Sequence, residues 1–333
     1  DEINKTQVKI ALFGQPGAGK SSLINKIVGK KIAEVGVETD KTVELAWYKH
    51  NGLKFADLPG YGTKNFPKES YFDKFDMEQF DLFLCVSSGK FHQADTEFFQ
   101  KLKEIGKVCL FIVNKHDELW EDDVTIEELE QRKRDDIYKQ VNQKVEVIFT
   151  SCRKNTGIDK LNKAIENSLD DAKRERYQRG AKAYSLDFLS EKREACEKHV
   201  ALAASAAAAN GLNPVPGVDV SVDVGIIVGL FKAIRDDYGL NDKELVSLTE
   251  SAGPIAMKTA NYILEFATKQ GVLILLKNYA VGETAKTIAK YIPFVGQAIA
   301  AGIGYLIVSN AGKDYHDKCY ELAEQILKNE LNR

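Results

Sequence analysis

The chain has 333 residues, of which 44% are hydrophobic and 29% are charged, and its formal net charge is -3. This composition is typical of a folded protein, and the length favours two domains because single cores usually stop growing below this size. The small net charge argues against a basic nucleic-acid-binding protein, so no nucleic-acid partner is expected. The five cysteines lack a CxxC pair, which disfavours disulfide frameworks and zinc sites and favours a reducing, cytoplasmic location.

The first half of the sequence alternates between short apolar runs and stretches with helical periodicity. Runs of strand length occur at 9–13, 42–48, 53–56, 81–87, 108–113 and 145–150. One of the helical stretches, 157–169, places Ile158, Leu161, Ile165 and Leu169 on a single face. Alternating strands and helices predict an α/β domain with a mostly parallel six-stranded sheet that is covered by helices on both sides.

The sequence changes character at the charged segment DDAKRER, residues 170–176. Beyond it strand-like alternation is almost lost, and seven alanines lie between positions 201 and 209. This pattern predicts an all-helical second domain. The expected boundaries are therefore an α/β domain over 1–172 and a helical domain over 173–333.

The segment GQPGAGKSS follows the first apolar run and leads into a helical stretch. It matches the pattern GxxxxGK[ST] in the strand-to-helix context that this motif requires, although a glycine-rich turn before an ordinary helix is the alternative. Backbone N–H groups of such a loop surround phosphates at the positive end of the helix. Lys20 is expected to meet the β- and γ-phosphates, and the Ser21 hydroxyl to ligate Mg²⁺. The predicted phosphate-site residues are Gly14, Gln15, Gly17, Ala18, Gly19, Lys20, Ser21 and Ser22.

Two further segments supply candidate ligands of the metal and the γ-phosphate. DLPG at 57–60 closes the third apolar run, which places Asp57 to hold Mg²⁺ through water and the Gly60 N–H near the γ-phosphate. The segment GVETDKT at 36–42 offers two hydroxyls, Thr39 and Thr42. Thr42 is favoured because it lies directly ahead of a predicted strand, while the alternative that both threonines only begin a strand stays open. The predicted metal ligands are Ser21, Thr42 and Asp57.

The motif NKHD at 114–117, which closes the fifth apolar run, indicates which nucleotide base the site binds. A carboxylate at Asp117 accepts hydrogen bonds from N1 and N2 of guanine, whereas adenine lacks this pair of donors and leaves the carboxylate unpaired. The segment after the sixth run stands where the S-A-K loop of GTPases contacts the guanine O6. The predicted base-site residues are Asn114, Lys115, Asp117, Ser151, Cys152 and Arg153. Together the motifs predict a site for GTP or GDP with Mg²⁺, and GTP rather than ATP.

The run DLPGYGTKNFP at 57–67, followed by Tyr71 and Phe72, resembles the immunity-related GTPases, the interferon-inducible group of vertebrates. That family carries the longer segment DLPG-x-G-[ST]-x-N-F-P. The segments PVPG at 214–217 and IPFVG at 292–296 are similar to parts of its helical domain. The resemblance implies a Ras-like P-loop GTPase domain followed by an all-α domain.

The resemblance also implies an activity. Members of this family bind GTP and GDP, hydrolyse GTP slowly alone and faster on self-assembly, and act at intracellular membranes, some of them around pathogen-containing vacuoles. The expected partners are therefore a second copy, through a GTP-dependent contact between G domains, and a membrane surface contacted peripherally. The expected role is cell-autonomous defence by a dynamin-like GTPase.

The residue after Gly60 bears on the mechanism. Ras-type enzymes have a Gln there that orients the attacking water, and Tyr61 cannot do the same. We therefore expect slow turnover in the monomer and a group supplied by a second G domain. Glu38 is a candidate for positioning water, with a solvated loop carboxylate as an equal alternative. The candidate catalytic residues are Lys20, Glu38, Thr42 and Gly60, and the alternative function is a slow nucleotide switch that recruits an effector.

The segment 291–312 contains 22 residues without a charge, a length that could span a bilayer. Pro293, Gln297 and four glycines weaken that interpretation. A second apolar stretch, 214–231, carries Asp219 and Asp223, which are costly at a bilayer centre. A buried helical hairpin is favoured for both segments, with conditional membrane contact as the alternative.

Overall fold

The computed structural model describes residues 6–33, 45–89, 91–210, 219–251, 253–280 and 301–332. It divides into two compact units, Asp1–Tyr184 and Ser185–Arg333. The strands of the described residues all lie in the first unit and the second is helical, which confirms the predicted succession of an α/β part and an all-α part.

The first unit contains a six-stranded sheet. Its strands are β1 (Val8–Phe13), β2 (Ala46–His50), β3 (Leu53–Asp57), β4 (Leu82–Ser87), β5 (Cys109–Val113) and β6 (Val147–Phe149). They are arranged in the order β2-β3-β1-β4-β5-β6. Only the edge strand β2 runs antiparallel, and it pairs with β3. The mostly parallel sheet predicted from the sequence is therefore confirmed.

Helices separate the strands. They are α1 (Lys20–Val28), α2 (Lys68–Lys74), α3 (Gln93–Glu104), α4 (Ile126–Val141), α5 (Ile158–Asn167) and α6 (Asp171–Gly180), with short 3₁₀ turns at Met77–Gln79 and His116–Glu118. All six residues of β4 are buried, as expected for a central parallel strand covered on both faces. The antiparallel pair β2–β3 is joined by Asn51-Gly52, whose φ angles of 38° and 77° are those of a tight hairpin turn.

The helix α6 belongs to the first unit, so the structure divides the chain after Tyr184 and not between Ala172 and Lys173 as the charged segment suggested. Tyr177 of this helix is buried and donates a hydrogen bond to Asn162 Oδ1 at 2.7 Å. Arg176 donates to Asn51 Oδ1 at 3.1 Å, which joins α6 to the β2–β3 turn. A charged segment resembles a connector, but here Arg176 is buried against the β2–β3 turn instead of facing solvent.

The second unit is built from helices. They are α7 (Leu186–Asn210), α8 (Asp219–Asp237), α9 (Asp242–Ser251), α10 (Pro254–Phe266), α11 (Lys269–Ala280) and α12 (Ala301–Leu331). In its core the ring of Phe231 stacks on Tyr315, with centroids 3.9 Å apart. The Tyr315 hydroxyl donates to the Ile263 carbonyl at 3.0 Å, so α8, α10 and α12 meet at this buried point.

Among the residues that the structure describes, no helix is long and apolar enough to span a bilayer. The uncharged segment 291–312 is described from Ala301 onward, where it forms the start of α12. Residues 291–300 and 214–218 lie outside the described residues, so the predicted hairpin stays a prediction there.

Candidate nucleotide-binding site

The loop between β1 and α1 has a backbone that only glycine fits at two positions. Gly14 has a φ of 130°, and a Cβ added there would lie 2.0 Å from the Val86 carbonyl oxygen. Gly19 caps α1 with a φ of 92°, and its added Cβ would lie 2.3 Å from the Asn114 side-chain nitrogen. These close approaches leave a concave backbone at the N-terminus of a helix, which is suited to an anionic group such as a phosphate.

Lys20 begins α1 and lies across this loop. Its Nζ donates to the carbonyl oxygens of Gly14 at 2.9 Å and Gln15 at 3.3 Å. The side chain is only 11% exposed, and its Nζ is 3.7 Å from Asp57 Oδ1. The loop thus holds a partly buried cation directly above its own backbone, where it can neutralise phosphate charge.

Asp57 ends β3 beside Lys20. Burial raises the pKa of its carboxyl, and the nearby Lys20 ammonium opposes this shift. Its Oδ1 atom is buried and makes no hydrogen bond. A buried carboxylate oxygen of this kind fits a hard divalent cation such as Mg²⁺, and the Ser21 hydroxyl at the start of α1 is an oxygen donor of the type that such a cation prefers. The third predicted metal ligand, Thr42, lies outside the described residues, as do Thr39 and Glu38.

The segment after Asp57 is held by aromatic residues. The Tyr71 hydroxyl, which is buried, donates to the Pro59 carbonyl at 2.6 Å. The Tyr61 ring packs against Tyr71 and Phe98, with centroids 5.2 Å and 5.1 Å away. Burial raises the pKa of the Tyr61 phenol. The residue next to Gly60 is therefore a neutral aromatic side chain fixed within an aromatic cluster.

Asn114 connects the base end of the site to the phosphate loop. Its side chain is 2% exposed, and Nδ2 donates to the Ala18 carbonyl at 2.9 Å. Its Oδ1 accepts from Thr150 Oγ1 at 3.1 Å. Asn114 therefore joins two loops, and its predicted contact with the base stays a prediction. Thr150 was missed as its partner, although its position at the end of the sixth apolar run was the available signal.

Asp117 lies at the base end, two residues after Lys115, which adopts the left-handed conformation with a φ of 58°. The hydrogen bond from Ser151 Oγ, and then the charge of Arg153, hold the pKa of the Asp117 carboxyl below its usual range. The Arg153 guanidinium lies 2.7 Å from Asp117 Oδ2. Asp117 is therefore an ionised acceptor, the state in which it can pair with the N1 and N2 donors of guanine.

The loop after β6 is fixed by its own backbone. Ser151 N donates to the Thr156 carbonyl at 2.9 Å. Gly157 closes the loop with a φ of 72°, and an added Cβ would lie 1.9 Å from the Phe149 carbonyl oxygen. Burial raises the pKa of the half-buried Cys152 thiol to about 11, so this side chain is an uncharged part of the loop. The loop therefore has a fixed backbone conformation next to Asp117.

The sheet order explains why these residues meet. Because β1, β3, β4, β5 and β6 are parallel, the loops at their carboxyl ends share one edge of the sheet. Lys20 and Asp57 lie together at the phosphate end, and Asp117, Ser151 and Arg153 lie together at the base end. Asp95 was not predicted as a site residue; it is a buried carboxylate at the start of α3 that accepts from Gln15 Nε2 at 3.2 Å.

A protein-family comparison agrees with this geometry. Residues 1–294 match the model of the family described as "Interferon-inducible GTPase (IIGP)". The chain belongs to the interferon-inducible GTPase family. This confirms the resemblance found in the segment 57–67, and it makes the chain a GTP-binding protein.

Individual relatives are more distant. Interferon-gamma-inducible GTPase 10 of Mus musculus is 35% identical over 127 residues, which cover 36% of this chain and 30% of that protein. Interferon-inducible GTPase 5 of Bos taurus is 24% identical over 332 residues, which cover 90% of this chain and 70% of that protein. The crystal structure of a probable GTP-binding protein engB has a TM-score of 0.37 and 22% identity over 48% of this chain and 98% of that chain. The match to the mouse protein thus spans less than a third of its length.

Proposed function

We propose that this member of the interferon-inducible GTPase family hydrolyses GTP to GDP and phosphate, slowly as a monomer and faster when the GTP-bound chains assemble. The observation that carries the proposal is the position of Tyr61. Its ring is held by Tyr71 and Phe98 directly after Gly60, where Ras-type enzymes have the glutamine that orients water. A G domain with this side chain needs a further group to complete the reaction.

The residues of the phosphate end have separate tasks in this mechanism. The glycine-built loop binds the phosphates through backbone N–H groups, and the Lys20 ammonium offsets charge that develops on the β- and γ-oxygens. Ser21 and Asp57 would hold Mg²⁺, with Thr42 as a further ligand. When bound, the metal neutralises and orients the phosphate oxygens. Gly60 is proposed to donate its N–H to the γ-phosphate.

The missing group is proposed to come from self-assembly. A second G domain can either supply a polar side chain or fix the segment that contains Glu38 and Thr42, so that water is positioned for attack. Glu38 is the candidate within this chain for that task. Loss of its carboxylate should then affect the stimulated rate more than nucleotide affinity, because the contact is made mainly in the transition state.

Action at intracellular membranes is part of the proposal. Exposed apolar side chains in the second unit support it, among them Ile255, which is 73% exposed at the start of α10, and Ile274 in α11. Such residues can contact a membrane surface without a spanning segment.

The decisive experiment measures GTPase activity per molecule across a wide range of protein concentration. Sedimentation of the protein with GDP and with a non-hydrolysable GTP analogue accompanies it. We expect activity to rise with concentration and the analogue to promote self-association. A Glu38→Ala variant should lose most of this rise while binding nucleotide normally. Constant specific activity from a protein that stays monomeric in both states would contradict the proposal and favour the nucleotide switch.

A further inference from the structure

We propose that His116 is a positioning residue for the guanine base and that its protonation tightens nucleotide binding. The inference rests on the base site proposed at Asp117, and it adds a regulation of that site by pH. His116 stands between Lys115 and Asp117 in the segment NKHD, at the position where the guanine motif accepts different residues. Its contacts in the structure give this histidine a task of its own.

The His116 side chain contacts helix α4. Its Nε2 atom lies 3.0 Å from Glu130 Oε1, and the two side chains are 22% and 24% exposed. The other carboxylate oxygen, Oε2, accepts from the Arg134 guanidinium at 3.1 Å. One carboxylate is thus placed between an imidazole and a guanidinium, and each of them uses a different oxygen. A proton gained by the imidazole therefore does not displace Arg134.

Phe149 of β6 joins the same group of side chains. The His116 ring packs against it with centroids 5.4 Å apart, and the Arg134 guanidinium lies 4.6 Å from the centre of the same ring. Phe149 is buried and stands two residues before Ser151. The turn that contains NKHD, helix α4 and strand β6 therefore meet at four side chains. We call them the His116 cluster: His116, Glu130, Arg134 and Phe149.

The cluster is connected to the base site through the two residues that follow β6. The His116 N–H donates to the Thr150 carbonyl at 2.9 Å. The next residue, Asp117, accepts from the hydroxyl of Ser151. Because His116 and Asp117 are adjacent in the chain, a side chain that fixes His116 also limits the movement of the Asp117 carboxylate. Groups that bind a ligand need such support to stay in the productive orientation.

The charged groups near the His116 ring come from three segments. Helix α4 places Glu130 in contact with the ring and Arg134 on the far oxygen of that carboxylate. The loop after β6 contributes Arg153, which is paired with Asp117. The neighbours of His116 in its own turn are Lys115, Asp117 and Glu118. Strand β6 itself, with the sequence VIF, has no charged side chain. Glu130 is thus the charged group that responds most directly to a proton on His116.

A change of charge on His116 alters the strength of its contact with Glu130. Histidine is the side chain whose charge ordinarily changes in the neutral range of pH. A charged donor makes a stronger hydrogen bond to a carboxylate than a neutral donor does. Acidification therefore stabilises the cluster and raises the fraction of chains in which Asp117 is oriented for the base. The apparent affinity for nucleotide rises with that fraction.

The test compares the wild-type chain with His116→Gln. The glutamine amide can donate to Glu130 but carries no charge at any pH. The dissociation constant of a fluorescent GDP analogue is measured with Mg²⁺ in excess, from mildly alkaline to mildly acidic pH. We expect equal binding at alkaline pH and about two- to fivefold tighter binding by the wild type at acidic pH, the size of effect expected for a partly exposed ion pair. Effects of pH on the phosphates and on Asp57 are common to both proteins, so the ratio of the two constants reports on His116.

Two further variants and a control locate the effect. His116→Leu removes the donor and should weaken binding at every pH, whereas His116→Gln restores it at alkaline pH. Glu130→Gln should abolish the pH-dependent difference between histidine and glutamine at position 116, because its amide has no charge to attract the proton. The matched control is Glu128→Gln on the same helix. Glu128 pairs with Arg132 at 2.7 Å, so this variant should keep the wild-type pH profile.

The outcomes separate this inference from the base site on which it rests. Parallel pH profiles for the wild type and His116→Gln would overturn the inference and leave the guanine site at Asp117 intact. A difference between them that persists together with Glu130→Gln would also overturn it, because the proton would then act outside the His116 cluster. Displacement of the analogue by ATP as readily as by GTP would show instead that the base site is wrong.

Discussion

The phosphate end of the site is formed mainly by backbone, whereas the base end is formed mainly by side chains. At the phosphate end, Gly14 and Gly19 bring backbone into contact with neighbouring groups at distances that no side chain tolerates. At the base end, Asp117 is surrounded by the side chains of Ser151 and Arg153. The first region recognises charge through fixed N–H groups and one lysine, and the second recognises a base through one ionised carboxylate.

The two ends of the site should therefore respond differently to amino-acid substitution. The phosphate end depends on its backbone conformation, so a single added methyl group can disrupt it. It does not distinguish one polyphosphate from another. A side-chain site depends on chemical identity, so an isosteric exchange can alter what it binds without altering its shape. The same contrast appears in the two carboxylates, because burial raises the pKa of Asp57 and hydrogen bonding lowers that of Asp117.

The largest effect is expected for Lys20→Ala. The ammonium lies over the loop and 3.7 Å from Asp57, so its loss removes the cation that opposes phosphate charge. We expect a fall in GTP hydrolysis of roughly 100-fold or more, the magnitude typical of losing one preorganised charge-stabilising group. Rates of phosphate release measure it, with Lys258→Ala as a control at an exposed lysine of the second unit. Wild-type turnover in the Lys20 variant would show that this loop does not bind the reacting phosphates.

The base end is tested by Asp117→Asn. The new amide donates to the C2 carbonyl of xanthine and no longer accepts from guanine, so preference should move from guanine toward xanthine nucleotides. The shift in relative affinity should be roughly ten- to hundred-fold, as expected for a hydrogen bond to a charged group. Competition against a fluorescent nucleotide measures it. Equal displacement by ATP and GTP in the wild type would contradict the role of Asp117.

Substitutions at two glycines of the phosphate loop separate the cost of an unfavourable backbone conformation from the cost of a steric contact. An added Cβ at Gly14 would lie 2.0 Å from the Val86 carbonyl oxygen, whereas one at Gly17 would meet nothing within 4 Å, and both positions have positive φ. Gly17→Ala should cost about 1–2 kcal/mol of stability from its φ alone. Gly14→Ala should cost more and also weaken nucleotide binding. Thermal unfolding and nucleotide titration distinguish them, and equal losses would mean that the contact with Val86 is unimportant.

The smallest effect is a difference in pH response. As pH falls, Asp57 takes up its proton before Asp117, because its pKa is raised while that of Asp117 is lowered. Metal dependence should therefore weaken at a pH where guanine selectivity is still intact. Nucleotide release with and without a chelator, followed as the pH is lowered stepwise from neutral, measures the first property. Competition between guanine and xanthine nucleotides measures the second, and a simultaneous loss of both would contradict the assignment.

The sequence predicted the sheet and the segments of the site because both are local patterns. Apolar runs specify strands, and the glycines of the P-loop motif specify a backbone that few other residues can adopt. The parallel strand order then brings Lys20, Asp57 and Asp117 to one edge. The proposal that these residues bind GTP and Mg²⁺ stays a prediction that the variants above address.

Contacts between distant segments were harder to predict. The segment 170–176 has the composition of a linker, yet Arg176 packs against the β2–β3 turn through Asn51. The link between Asn114 and Ala18, and the pairing of Gln15 with Asp95, likewise depend on which loops the fold places side by side. Hydrophobic periodicity carries no information about such polar partners, because it reports only which face of an element is buried.

Asn114 and Asp117 stand three positions apart but have separate partners. Asn114 bonds to Ala18 and Thr150, while Asp117 bonds to Ser151 and Arg153. A substitution at Asp117 therefore leaves the attachment between the two loops in place. This separation makes the protein a suitable starting point for an orthogonal enzyme in a cell, because one altered carboxylate would change which nucleotide it binds while Asn114 still holds the two loops together.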